Sequence, residues 1–391
     1  MNRRISAKVE NNEALVPIIP RTETVPLRKF LDMHVHNFSA GPGILPPSVL
    51  QQAADAVLNF DGLNLSLLEI SHRGKNFIAV MDEARALVKE LLHLDDAYDV
   101  LYLGGGASLQ FAMVPYNLLS TQGTAGYVNT GVWATKAIKE AKKIGNTQVV
   151  ASSEDRKFAY IPKGYTIPDN LDYLHITSNN TIYGTQMMDF PETAVPLVCD
   201  MSSDIFSREV NGKQFSLIYA GAQKNMGPAG ATMVALRTDM LGKTGRSMLS
   251  MLDYQVHIKG ESMFNTPPVF PIYVTMLTLR WIKEQGGVSV LEQRNNEKAK
   301  TLYSEIDRNS MFTGTVDAED RSRMNVNFVL TAAGAPHEAV FSAMTKEAGI
   351  SGINGHRDVG GYRASLYNAL PLESVMALVE VMQAFEKKIH G

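Results

Sequence analysis

Three stretches put chemistry-bearing residues directly after apolar runs. Lys224 stands in YAGAQKNMGPAG (219–230), among glycines and a proline, at the end of the run FSLIYAGA. Lysine is rarely buried without a partner, and near neutral pH its amine is protonated and a weak nucleophile. Either the amine is solvated on a surface turn, or the turn delivers it to a partner. Asp200 closes AVPLVCD. A carboxylate there is costly unless a cation or hydrogen-bond donor meets it; the plain alternative is a helix N-cap for SSDIFS. LYLGGGASLQF (101–111) sets three glycines, Ala107 and Ser108 at the start of a helix. Backbone N–H groups and the helix dipole hold phosphate at such a point, although a purely structural glycine turn reads equally well. A phosphate site, a buried aspartate and a strand-end lysine together meet the needs of pyridoxal 5'-phosphate. The lysine forms a Schiff base with the aldehyde, and the aspartate keeps the pyridine nitrogen protonated so that the ring accepts electrons. Trp133, in NTGVWATKA, is either a flat ring covering that cofactor or a helix-core residue.

Such residues need elements to hold them, and the chain alternates accordingly. Helical periods over PSVLQQAADAVLNF, NFIAVMDEARALVKELLHL, ASLQFAMVPYNLL and VWATKAIKEAKKIG are interleaved with strand-like runs YDVLYL, TAGYVN, TQVVAS, YLHITSN, AVPLVCDMS, FSLIYAGA and GATMVALR. This order predicts an α/β fold with a mostly parallel sheet flanked by helices, and in such sheets ligands sit at the carboxyl ends of strands. Past residue 270 come two long helices, PIYVTMLTLRWIKEQGG and SVLEQRNNEKAKTLYSEIDRN. Strand MNVNFVL, helix HEAVFSAMTKEAG, strand GYRASLYNAL and closing helix LESVMALVEVMQAFEKKI follow. The expected organisation is a disordered N-terminal extension over 1–33, a large cofactor-binding domain with an N-terminal arm over 34–285, and a smaller α+β C-terminal domain over 286–391.

Bulk properties narrow the function. The 391 residues are 45% hydrophobic and 20% charged, ordinary for a soluble globular protein, and 37 basic against 40 acidic side chains give a formal charge of −3. No basic excess points to nucleic acid or a membrane surface. The single cysteine, Cys199, excludes an intramolecular disulfide and a cysteine-rich zinc site, and the expected location is cytoplasmic. Residues 1–33 lack the apolar segment of a secretory signal, and Glu10, Glu13 and Glu23 argue against a transit peptide; Met33 is a candidate start. His34 and His36 form an H-x-H pair without further ligands nearby, so no metal is expected. A Walker loop fails because LGKTG (241–245) has Arg237 where the first glycine belongs. Cys199 sits inside a predicted strand, which counts against a desulfurase nucleophile. A cofactor-domain transcription regulator needs a DNA-binding domain that the first 36 residues are too few to form.

Nine blocks in order carry a resemblance. They are NFSAGPGILP (37–46), EISHRGK (69–75), GGGASLQFAM (104–113), NTGVWA (129–134), HITSNNTIYGTQ (175–186), CDMSSDIFSR (199–208), YAGAQKNMGPAG (219–230), MFNTPP (263–268) and GHRDVGGYRASLYNAL (355–370). From about Asn37 to the C-terminus the chain resembles the phosphoserine aminotransferase family, class V members of the fold-type I pyridoxal-phosphate transferases. The resemblance implies that Lys224 is the Schiff-base lysine, Asp200 the partner of the pyridine nitrogen and Trp133 the stacking ring. Thr181 matches the threonine on the phenolic oxygen. Ala107, Ser108 and Gln223 match cofactor-phosphate ligands, joined by Asn265 and Thr266 from the other subunit of a homodimer with shared sites. Some family members carry arginine where this chain has Ser108, so one cationic contact is missing at the mouth of the site.

The substrates this implies are L-glutamate and 3-phosphohydroxypyruvate, exchanged for 2-oxoglutarate and O-phospho-L-serine in serine biosynthesis. The family also allows formation of 4-phospho-hydroxythreonine in vitamin B6 biosynthesis. Carboxylate and phosphate are both recognised by the paired N–H donors of arginine. Arg363 matches the α-carboxylate ligand, and the pairs His72-Arg73 and His356-Arg357, each beside glycine, match the groups that hold the phosphate or the glutamate side chain. The plain reading of each His-Arg pair is a solvated loop. The competing function is a related class V aminotransferase acting on a different acid; two His-Arg pairs favour a dianionic phosphate.

Overall fold

A computed structural model describes residues 35–357 and 359–391. The N-terminal extension and His34 lie outside them. Strand β1 (His36–Asn37) leads to helices α1 (Pro47–Leu58) and α2 (Lys75–Leu91). Then follow β2 (Tyr98–Leu103), α3 (Gly106–Leu118), β3 (Thr124–Asn129), α4 (Val132–Ala141), β4 (Asn146–Ser152), β5 (Tyr173–Thr177), β6 (Leu197–Asp200), β7 (Leu217–Gly221) and β8 (Thr232–Arg237). The seven strands β2 to β8 form one sheet in the order β2-β8-β7-β6-β5-β3-β4. Strands β7, β6, β5, β3 and β4 are parallel, and β8 runs antiparallel to both of its neighbours. The reason is local. A parallel crossover needs about a dozen residues or more, and the connection 222–231 is shorter. That short return is the segment carrying Lys224.

The central strands read as unbroken apolar runs because both sheet faces are covered; β5, β6 and β7 are buried along their whole length. On one face lie α1, α2 and the later helix α6 (Val269–Glu284), which follows α5 (Tyr254–Lys259). Helix α2 buries Phe77, Val80, Met81, Ala84, Leu87, Val88 and Leu91, a three- and four-residue spacing that makes one apolar stripe. Each large side chain removed from water this way contributes roughly 1.5–3 kcal/mol. The other face is covered by α3, α4 and α5.

A separate apolar cluster belongs to the C-terminal part. Here α7 (Val288–Arg308), α8 (Glu338–Glu347) and α9 (Leu372–His390) pack with β9 (Phe312–Gly314), β10 (Asn325–Leu330) and β12 (Tyr362–Ser365), which form an antiparallel sheet in the order β12-β10-β9. The short β11 (Ile350–Ser351) pairs with β1, and Phe38 is fully buried in this cluster. The described residues from Val35 to Gly391 cluster as one unit. We propose that the C-terminal domain begins near residue 286, at the glycine break between α6 and α7.

Candidate active site

The strand ends converge on a cavity of about 320 Å³ lined by Lys224, Asp200, Trp133, Thr181, Ala107, Ser108, Gln223, His356 and Arg363. They come from the turns at carboxyl strand ends and from the C-terminal part of the chain. After β2, Gly105 and Gly106 take positive φ of 86° and 65° and open α3, so that Ala107 and Ser108 stand in its first turn. After β3, Gly131 opens α4 and sets Trp133 against the cavity. Thr181 lies beyond β5, Asp200 ends β6, and Gln223 and Lys224 follow β7. Arg363 projects from β12.

Lys224 is not a solvated surface lysine. It is half-buried, and its Nζ donates to Thr181 Oγ1 at 2.8 Å. Burial lowers its pKa to about 8 against the pull of Asp200, and the nearby Arg363 charge adds to the lowering. Asp200 is buried, which pushes its carboxyl up, while the Ser202 contacts and Lys224 hold it down. Its Oδ1 accepts from the Ser202 N–H at 2.9 Å. The segment SSDIFS forms successive turns, not the helix that the N-cap reading expects; Phe206, at φ 56°, interrupts it. Asp200 thus closes a local turn and faces the cavity at once. Arg363 Nη1 donates to the Thr181 carbonyl at 3.3 Å, and its buried Nε meets no protein acceptor. Burial lowers its pKa.

The model of the family described as "Aminotransferase class-V" matches residues 35–378. The chain belongs to that family. The chain is 60% identical over 358 residues to a phosphoserine aminotransferase of Flavobacterium psychrophilum, covering 91% of this chain and all of that one. A solved phosphoserine aminotransferase from Bacillus circulans subsp. alkalophilus is 45% identical, with a TM-score of 0.88 over 92% of this chain and 99% of that one. A pyridoxal-phosphate-bound phosphoserine aminotransferase from Trichomonas vaginalis is 34% identical, with a TM-score of 0.85 over 90% of this chain and all of that one.

Class V aminotransferases use pyridoxal phosphate, and this cavity's groups fit it. Trp133 offers an aromatic wall, and its buried indole N–H has no protein partner. The start of α3 offers free N–H donors to an anion. A buried carboxylate at one end suits a protonated ring nitrogen, and a lysine amine of lowered pKa suits an aldehyde. Gly41 packs beside Lys224: a Cβ there would stand in ordinary van der Waals contact with Lys224 Cγ, at 3.5 Å.

Other site residues read from the sequence lie outside this cavity within one chain. His72 is half-buried and Arg73 exposed, and neither lines it. His356 lines it, whereas Arg357 is exposed and does not. Asn265 and Thr266 are exposed; Asn265 lines a neighbouring cavity of about 270 Å³ beside Gly104 and Gly105. The structure also brings in residues the sequence reading passed over. Thr177, Asn179, Ser202 and Ser203 line the cavity. Beneath them Asp204 is a second buried carboxylate, held by Ser178 Oγ and by Gln186 Nε2 at 3.1 Å. The clustering of Ser, Thr and Asn in TSNNT and DMSSD, directly after buried strands, is the signal that marks them. Cys199 is fully buried and its thiol is pushed well up by burial, as an inert core cysteine. Among the described residues no helix is long and apolar enough to cross a membrane.

Proposed function

We propose that the chain is a phosphoserine aminotransferase, moving the amino group of L-glutamate to 3-phosphohydroxypyruvate and releasing O-phospho-L-serine and 2-oxoglutarate. The observation that carries the reading is the meeting of Lys224, Asp200 and Arg363 in one cavity. When bound, pyridoxal phosphate supplies an aldehyde to carry the amino group and a ring to accept electrons. Lys224 Nζ takes the proton from the amino acid's Cα and returns one on the reverse half-reaction, a task that its lowered pKa suits. Asp200 holds the positive charge of the ring nitrogen. Trp133 walls the ring and excludes water from one face. Thr181 orients the Lys224 amine. Ala107, Ser108 and Gln223 hold the cofactor phosphate at the start of α3.

Arg363 holds the α-carboxylate, which both amino acids carry. The two His-Arg pairs, His72-Arg73 and His356-Arg357, take the substrate's distal anion. The exposure of Arg73, Asn265 and Thr266 fits a homodimer in which a second copy completes each site; sedimentation of the purified chain at twice its 42.9 kDa mass tests this. The same anion chemistry extends to 4-phospho-hydroxythreonine as a second product, in pyridoxine biosynthesis. A single, buried cysteine suits the reducing cytoplasm. The experiment is transfer from O-phospho-L-serine to 2-oxoglutarate, read as glutamate formed, by the parent and by Lys224→Ala. The variant is expected to lose turnover; near-parental turnover would overturn the assignment.

A further inference from the structure

Lys298, on α7, is 2% exposed. Its Nζ donates to three backbone carbonyls of one turn: Leu366 at 2.9 Å, Tyr367 at 2.8 Å and Leu370 at 3.1 Å. Among the described residues no carboxylate is paired with it, and the charge that acts on it is the like charge of Arg294. A buried ammonium without a counter-ion is costly. A methionine or leucine would fill the space at less cost. What the lysine adds is three donors aimed at one short stretch of backbone.

That stretch is tied to the segments that line the cavity in three places. It follows directly on β12, which carries Arg363. The Tyr367 hydroxyl donates to the Ala40 carbonyl at 2.6 Å, and Ala40 and Gly41 line the cavity. The Asn368 N–H donates to Asn225 Oδ1 at 3.0 Å, and Asn225 is the residue after Lys224. There is little slack: a Cβ on Gly43 would stand 2.8 Å from the Tyr367 ring. A shift of the turn is therefore passed to the cavity wall rather than absorbed.

We propose that Lys298 is a positioning residue for amino-acid binding: its hold on the Leu366–Leu370 turn fixes the spacing between Arg363, the Ala40–Gly41 wall and the Lys224 loop. This rests on the reading that Arg363 receives the amino acid's carboxylate, which titration of Arg363→Ala with L-glutamate and O-phospho-L-serine tests separately. Lys298→Met keeps the volume and removes the donors, whereas Lys298→Arg keeps charge and donors. With each variant loaded with pyridoxal phosphate, visible absorbance reports cofactor content, titration with O-phospho-L-serine reports affinity, and Tm reports folding. Lys298→Met is expected to retain cofactor and to bind the amino acid about 10- to 100-fold more weakly, the scale of a lost charge-assisted hydrogen bond. Lys298→Arg should recover most of that loss. A lower Tm with parental affinity would make the lysine merely structural and overturn the proposal. If Lys298→Met does not fold, Tyr367→Phe decides, since it removes only the hydroxyl, which donates to Ala40 and accepts from Asn325 Nδ2 at 3.3 Å. A weakening of roughly fivefold is expected there, and parental affinity with parental cofactor content overturns the proposal.

Discussion

At the scale of single residues, the site works by placing cations where burial alters them. Lys224 sits between Asp200, which stabilises its charge, and Arg363, which opposes it, and burial sets the net result at about 8. Arg363 keeps one N–H on a carbonyl and leaves a buried Nε for a ligand. Arg363→Ala is therefore expected to weaken both L-glutamate and O-phospho-L-serine by about 10-fold or more, the cost of a charged hydrogen-bonding pair. Spectral titration with each amino acid checks it, and a defect confined to one of them would contradict a role at the shared α-carboxylate. Lys224 and Asp200 were legible because each closes an apolar run where a charge is out of place, whereas Trp133, which follows Asn-Thr-Gly-Val at a helix start, was drawn in by the cofactor that those two implied. Asp204 was not. It lies four residues past Asp200 in a segment that reads as a helix start, and only the fold reveals that Ser178 and Gln186 reach it. Lys298 hid in an amphipathic helix among other charges; nothing in the period of α7 separates a lysine on carbonyls from one in water.

At the scale of elements, turns do the positioning. The step from β2 into α3 depends on Gly105 at φ 86°, where a Cβ would come within 2.6 Å of Leu109. Gly105→Ala is expected to cost on the order of 1–2 kcal/mol from the left-handed backbone alone, and to loosen the phosphate end of the site. Thermal unfolding and cofactor retention on dilution measure the two effects; parental values in both would remove this turn from the account. The long helices and buried strands were readable, since their periods of 3.6 and their unbroken apolar runs are direct consequences of one or two covered faces. The pairs His36–Asn37 with Ile350–Ser351 and the strand Phe312–Gly314 were not. Two or three residues are too few to show a period, and their partners are distant in sequence.

At the scale of the whole molecule, the sheet order explains why one cavity collects residues from widely separated blocks of the chain. Strands β3, β5, β6 and β7 are parallel neighbours, so their carboxyl ends and the following turns share one edge, and β12 adds Arg363 from the C-terminal part. Element order in the sequence indicated that edge, but not which side chains would meet there. The proposed homodimer then accounts for Asn265, Thr266 and the His72-Arg73 pair, which one chain's cavity does not include. The most direct test of the account is the absorbance spectrum of the purified protein loaded with pyridoxal phosphate, recorded before and after O-phospho-L-serine, with L-serine as control. The account predicts a yellow protein whose visible band is lost with O-phospho-L-serine and kept with L-serine. A band that responds to both alike, or to neither, would contradict it.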